Sequence, residues 1–165
     1  MDFLFHLFLS LVISKNFLGE YNFLVVFFSF LPDIIGAAPY EVNKFYLSLK
    51  HKGNKIKKYI LFTKKTKMFN NWQKIIYKST HNLFAWMLFS TIAKILFSDI
   101  YKILSLSYFL HLFFDSYTHE GDFAMQPFYP FKFSIKGRSW ALNKKILMLN
   151  WTVLGLFLVY FKILK

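Results

Sequence analysis

Five apolar runs divide the chain, at residues 3–13, 23–35, 83–97, 100–117 and 146–164. Only the last reaches the ~20 residues that a membrane-crossing helix needs. The third and fourth become long enough if Lys94 and Lys102 lie near an interface and reach into water. The first two are short and are separated by the polar stretch 15–22, so they read as a shallow hairpin or as one interrupted helix. Because the runs are apolar on nearly every face, helical periodicity does not orient them. Residues 41–78 are polar and lysine-rich and read as a basic loop, with Lys52-Gly53-Asn54 as a turn. Residues 123–139 hold Pro127, Pro130 and Gly137 and read as an ordered loop before the last helix. No repeat of 20 to 50 residues is visible. The pattern predicts an all-α, polytopic membrane bundle of about four to five helices, one domain over 1–165.

Composition agrees with a lipid environment. Apolar residues make up 56% of the 165 positions, aromatic residues 22%, and 23 residues are Phe. The net charge of +13 is unevenly placed. Eleven lysines and one acid fall in 41–78, and five basic residues and no acid fall in 132–145. Basic residues gathered in two loops put those loops on the cytoplasmic side. The N-terminus MDFLFHLFLS carries Asp2 and no basic flank, unlike a cleaved signal peptide. With no cysteine, any metal must be held by nitrogen and oxygen donors.

Charge-derived topology brings chemistry together. If both basic loops are cytoplasmic, 83–97 runs out and 100–117 returns, so His81, His111 and Asp115 lie at one membrane face. Running the pattern backwards brings Asp33 of Leu31-Pro32-Asp33 to that face, and pairing 3–13 with 23–35 brings His6. His111 and Asp115 stand four residues apart on one helical face, a suitable imidazole–carboxylate pair for a divalent cation. Ionisable groups within an apolar membrane segment are costly and mark function. Each residue alone has an ordinary explanation. Asp33 reads as a turn residue, His6 as a packed histidine, and His81 as part of a first helical turn capped by Ser79 or Thr80. Their convergence is what points to a site.

The residues then carry a resemblance. His6, Leu31-Pro32-Asp33, Ser79-Thr80-His81, His111-x-x-x-Asp115-x-x-Thr118-His119 and Pro127-Phe128-Tyr129-Pro130-Phe131 occur in that order. This order resembles the membrane-bound metal-dependent hydrolases described as LexA-binding and inner-membrane-associated. More remotely, it is similar to the zinc-dependent phospholipase C and P1 nuclease group. The resemblance spans roughly residues 2 to 160, and its specificity lies in the combination of short motifs. It implies that His6, Asp33, His81, His111 and Asp115 form the metal site. The chain departs from the family at Ile35, where an acid is common, and at Ile76-Tyr77-Lys78-Ser79, where a His-Arg-Gly run is common. Lys78 stands in as a point charge.

The expected function is metal-assisted hydrolysis at the cytoplasmic face of the inner membrane. One or two divalent ions, expected to be zinc, would act with Asp33 or Asp115 as general base. His119, Glu120 and Asp122 read as residues that orient a ligand imidazole, serve as general base or solvate a loop, and His119 continues the His111/Asp115 spacing if the helix runs on. Phe128-Tyr129-Pro130-Phe131 reads as an aromatic wall over the site or an interfacial anchor. Membrane lipid is the expected partner, and a phosphoester, such as a phospholipid head group, the expected substrate. Two other classes fit the same sequence. One is a non-catalytic membrane protein whose segment 44–78 binds anionic lipid or nucleic acid; the other is an ion or proton transporter using His111, Asp115 and Asp33 as a relay.

Overall fold

A computed structural model describes residues 3–63, 70–139 and 143–163. Among them the chain is all-α, with eight α-helices, one short 3-10 turn and no strand. Helix α1 (Phe3–Leu18) ends at Gly19, whose φ of +76° reverses the chain at a cost only glycine escapes. Helix α2 (Phe23–Gly36) starts where the Asn22 side chain accepts from the Leu24 N–H at 2.9 Å. It then turns by 61° into α3 (Ala38–Leu49). Helices α4 (Lys55–Thr63) and α5 (Asn71–Thr80) follow. Helices α6 (Leu83–Leu96) and α7 (Tyr101–Thr118) form a tight hairpin, and the 3-10 turn Gly121–Phe123 leads towards α8 (Lys144–Ile163).

Helix α2 is the hub, packing on α1, α5 and α7, while α8 lies against α1. Phe5, Leu9, Val12, Val25, Phe28, Leu104 and Phe114 form the main core, and Leu31, Tyr108, Leu112 and Met125 a second cluster near the helix ends. Ser10 and Ser14 are fully buried on α1. Small residues at these positions let neighbouring backbones approach closely. Trp86 Nε1 donates to the Ser105 carbonyl at 3.1 Å, and the Ser90 and Ser105 hydroxyls meet at 2.7 Å, pinning α6 to α7.

Three expectations change. The basic segment 41–78 is not an open loop, since most of its described part is helical in α3, α4 and α5. These helices are amphipathic. Lys44 is 3% exposed, pairs with Glu41 at 2.6 Å, and lies 4.6 Å from the Tyr59 ring centroid. Lys64, Lys65 and Lys67 of that segment lie outside the described residues, as does Asp2. Pro32 does not end its helix but sits inside α2, where its missing N–H leaves the Phe28 carbonyl without its usual donor. His81 does not open a helix. It closes α5, and Asn82 caps α6 by accepting from the Ala85 N–H at 2.8 Å.

Helix α8 is long and apolar enough to cross a membrane, and α2 with α3 would be so only if the bent pair were one span. Helices α1 and α6 are apolar but shorter.

Because Asn82 both caps α6 and holds the Lys78 carbonyl at 2.7 Å, it fixes the α5–α6 corner. Asn82→Ala is expected to lower stability by about 0.5–2 kcal/mol. Thermal unfolding in detergent checks this, and an unchanged midpoint would remove the cap from the account.

Candidate metal centre

Four helices deliver ionisable side chains to one point: His6 from α1, Asp33 from α2, His81 from the end of α5, and His111 with Asp115 from α7. Asp33, His81, His111 and Asp115 each offer a donor atom, and these atoms all lie within 4.8 Å of one another. All four side chains are buried. His111 Nε2 lies 3.1 Å from Asp115 Oδ2 and 3.5 Å from Asp33 Oδ2. His81 Nε2 lies 3.3 Å from Asp33 Oδ1 and 3.5 Å from Asp115 Oδ2. None of these four approaches is aligned as a hydrogen bond. Both oxygens of Asp33, Asp115 Oδ2, His81 Nε2 and both nitrogens of His111 are buried without a hydrogen-bond partner.

That combination is what a cation site requires. Hydrogen bonds centre on ~2.9 Å, with misaligned contacts losing most of their value. Two donors ~2.0–2.1 Å from one ion, at the tetrahedral angle, stand ~3.3 Å apart. The observed spacings match the second pattern better than the first. With imidazoles neutral, two carboxylates carry a charge of −2, which one divalent ion offsets. The four residues are therefore a donor set able to hold a metal ion.

Neighbours fix the donors in place. His81 Nδ1 stands 3.0 Å from the Tyr77 carbonyl, so its N–H donates there and the Nε2 lone pair faces the carboxylates. The Tyr77 ring stacks on His81 at 3.8 Å between centroids. Thr80 Oγ1 reaches the Pro32 carbonyl at 3.1 Å, and Tyr108 donates from its hydroxyl to the Thr80 carbonyl at 2.7 Å. Gly36 makes this possible. A Cβ there would stand 2.1 Å from Thr80 Oγ1 and 3.1 Å from His81 Nδ1. Tyr77, Tyr108 and Gly36 were not singled out by the sequence reading, although Tyr77 precedes His81 by the four residues that stack side chains on a helix.

His6 joins from the other side. Its Nε2 pairs with Asp115 Oδ1 at 3.2 Å, and its ring stacks on His111 at 4.1 Å between centroids. It thus stands beside the four-donor group rather than in it. His119 closes α7 instead of continuing it, and its Nδ1 lies 3.3 Å from Asp115 Oδ1. Burial pushes the His119 imidazole down to about 4, so it is neutral at pH 7. His119 Nδ1 instead meets the Thr118 hydroxyl at 2.9 Å and the Asp115 main-chain carbonyl at 3.3 Å, so Asp115 is held through Oδ1 by His6, while Oδ2 faces the site.

Other expected site residues lie elsewhere. Asp122 pairs with Lys74. Burial and the Lys74 charge lower the Lys78 pKa, while the Asp122 carboxylate raises it. Phe128 packs on Phe84 and Phe133 at the start of α6, so the aromatic wall is not at 128–131. Phe123 takes that place, meeting Tyr77, Tyr40 and His119. The Pro-rich segment instead accepts the Leu83 N–H through the Pro127 carbonyl at 2.9 Å.

No family model, curated protein or solved structure matches the chain.

Gly36→Ala is expected to weaken metal binding by about 10–100-fold by displacing the Thr80–His81 corner. Competition with a chromogenic chelator measures it, and unchanged affinity would show that the close approach at Gly36 does not position the donors.

Proposed function

We propose that this chain is a multi-pass protein of the inner membrane that hydrolyses a phosphoester at the cytoplasmic face, using a divalent metal ion, zinc, held by Asp33, His81, His111 and Asp115. One observation carries the reading: buried carboxylate and imidazole atoms without hydrogen-bond partners gather within 4.8 Å of one another. Two imidazoles among the donors favour zinc over magnesium or calcium, which take oxygen ligands. Large apolar side chains exposed on the helices, such as Leu88, Phe113 and Leu156 at 59%, 52% and 64%, favour a lipid surround. The order of motifs, and the similarity it carries to metal-dependent hydrolases, favours hydrolysis. The excess of basic residues favours an anionic substrate.

A divalent ion held by these residues would supply Lewis-acid charge for ester polarisation and for acidifying a water. The chain's own residues divide the remaining work. Asp115, held through Oδ1 by His6, is the fixed carboxylate, and Asp33 would hold the metal through one oxygen and take a proton on the other as general base. His81 is kept in the donor tautomer by Tyr77. Phe123, Tyr77 and the buried Tyr108 exclude water from the imidazole side. Gathering at one point, rather than spacing along a path, distinguishes this set from a proton relay.

Protein purified in detergent is expected to carry stoichiometric metal, and the double substitution His111→Ala with Asp115→Ala is expected to lose it. Elemental analysis reads both. Asp33→Asn is expected to lower turnover of a soluble aryl phosphodiester by about 10²-fold or more. Metal-free wild-type protein, or full turnover in Asp33→Asn, would contradict the assignment.

A further inference from the structure

Helices α3 and α5 wear their polarity inside out. On α3, Val42, Phe45, Tyr46 and Leu49 recur at the i, i+3, i+4, i+7 spacing of one helical face. That face is exposed, with Val42 at 67%, while Tyr40, Lys44 and Ser48 fill the buried one. On α5, Trp72 and Ile75 are exposed at 50% and 53%, and the buried residues are Gln73, Tyr77 and Thr80. A surface helix in water does the reverse, turning its apolar stripe to the core. The outward stripes are also joined. Val42 and Tyr46 share one groove with Trp72 of α5 and Ile34 of α2. Phe45 and Leu49 share a second groove with Ile56 of α4. The three helices thus present one apolar face, with the α3 stripe in its middle.

Positive charge borders that face. Lys50, Lys52, Lys55, Lys57 and Lys58 run from the end of α3 through α4 with no acid between them. Lys50 Nζ stands 4.4 Å from the Tyr46 ring centroid, which sets an ammonium at the edge of the stripe. Glu41, the one acid of segment 41–78, is already paired with Lys44. We infer that α3, α4 and α5 form a platform lying in the headgroup layer of an anionic bilayer, with the stripes in the acyl boundary and the lysines against lipid phosphates. Amphipathic helices with apolar and aromatic residues on one side and lysines beside them bind in that plane. Basic segments at a membrane surface are held there by anionic lipid. The 61° turn from α2 into α3 suits this placement: with α2 along the bilayer normal, α3 lies closer to the membrane plane than to the normal. A second copy of the chain fits the face poorly, because two surfaces with the same basic border repel. The platform needs no metal, and its lipid is bound as a surface rather than turned over.

The chain has no cysteine, so single cysteines can carry a nitrobenzoxadiazole label. Val42→Cys and Ile75→Cys, both at exposed positions, are labelled in the full chain and reconstituted in nanodiscs of phosphatidylcholine with or without phosphatidylglycerol. With phosphatidylglycerol, both labels are expected to be quenched by lipid nitroxides placed near the headgroup and shielded from aqueous iodide. Shielding is expected to fall several-fold in phosphatidylcholine alone, and also when Lys50→Glu, Lys55→Glu and Lys57→Glu are combined. A label at Ser98→Cys, in the exposed turn between α6 and α7, is expected to stay open to iodide in both lipids. Labels at 42 and 75 that stay open to iodide with phosphatidylglycerol present would overturn the proposal. So would shielding that is equal in the two lipids, or equal at all three positions. Disulfide-linked dimers of unlabelled Val42→Cys would overturn it too, by showing a second copy on the face. None of these positions belongs to the donor group, and bound metal is expected to be unchanged in each variant. Absence of metal from the wild-type protein therefore strikes the hydrolase reading alone, and open labels strike the platform alone.

Discussion

Two carboxylates sealed from water need a compensating charge, and the rest of the molecule is arranged around that need. Burying one such ion costs several kcal/mol even after relaxation, and Asp33 and Asp115 face the same point. Direct pairing relieves part of the cost, through His6 on Asp115 Oδ1. The inner face of the pair is left to misaligned imidazoles at 3.1 to 3.5 Å. Replacing either acid by an apolar residue would remove that cost outright. A divalent ion between the donors reconciles the cost with the geometry.

The helices meet as they do because small residues and side-chain hydrogen bonds stand where those donors must converge. Gly36 lets the end of α2 touch Thr80 and His81, and Thr80 ties its hydroxyl to the Pro32 carbonyl. Tyr108 then joins α7 to the same corner. His81 thereby reaches the site from the end of a short amphipathic helix, while His111 and Asp115 reach it from a long apolar one. The centre forms where three helix ends and the flank of α7 coincide.

The apolar runs at 3–13, 23–35, 83–97, 100–117 and 146–164 foretold α1, α2, α6, α7 and α8, because long hydrophobic stretches leave few alternatives. The convergence of Asp33, His81, His111 and Asp115 was legible through charge-derived topology and motif order. What was not legible depended on amphipathic or tertiary detail. Segment 41–78 looked like a loop because lysines interrupt its apolar positions at helical spacing, and Lys44 is buried only because Glu41, Tyr40 and Tyr59 surround it. Asp33 read as a turn residue, yet α2 runs through Pro32 and Asp33 to Gly36. Asp122 read as a partner of the histidines, but Lys74 from α5 reaches it first. Phe128 and Phe131 were placed over the site on composition, whereas Phe123 was placed there by the turn after His119.

The central claim is that the four donors bind one metal ion directly. X-ray absorption on the purified, metal-bearing protein tests it without any substitution. The account predicts a shell of nitrogen and oxygen donors at about 2.0–2.1 Å, with outer-shell scattering from two imidazole rings. A shell of oxygen alone, with no imidazole signature, would contradict it.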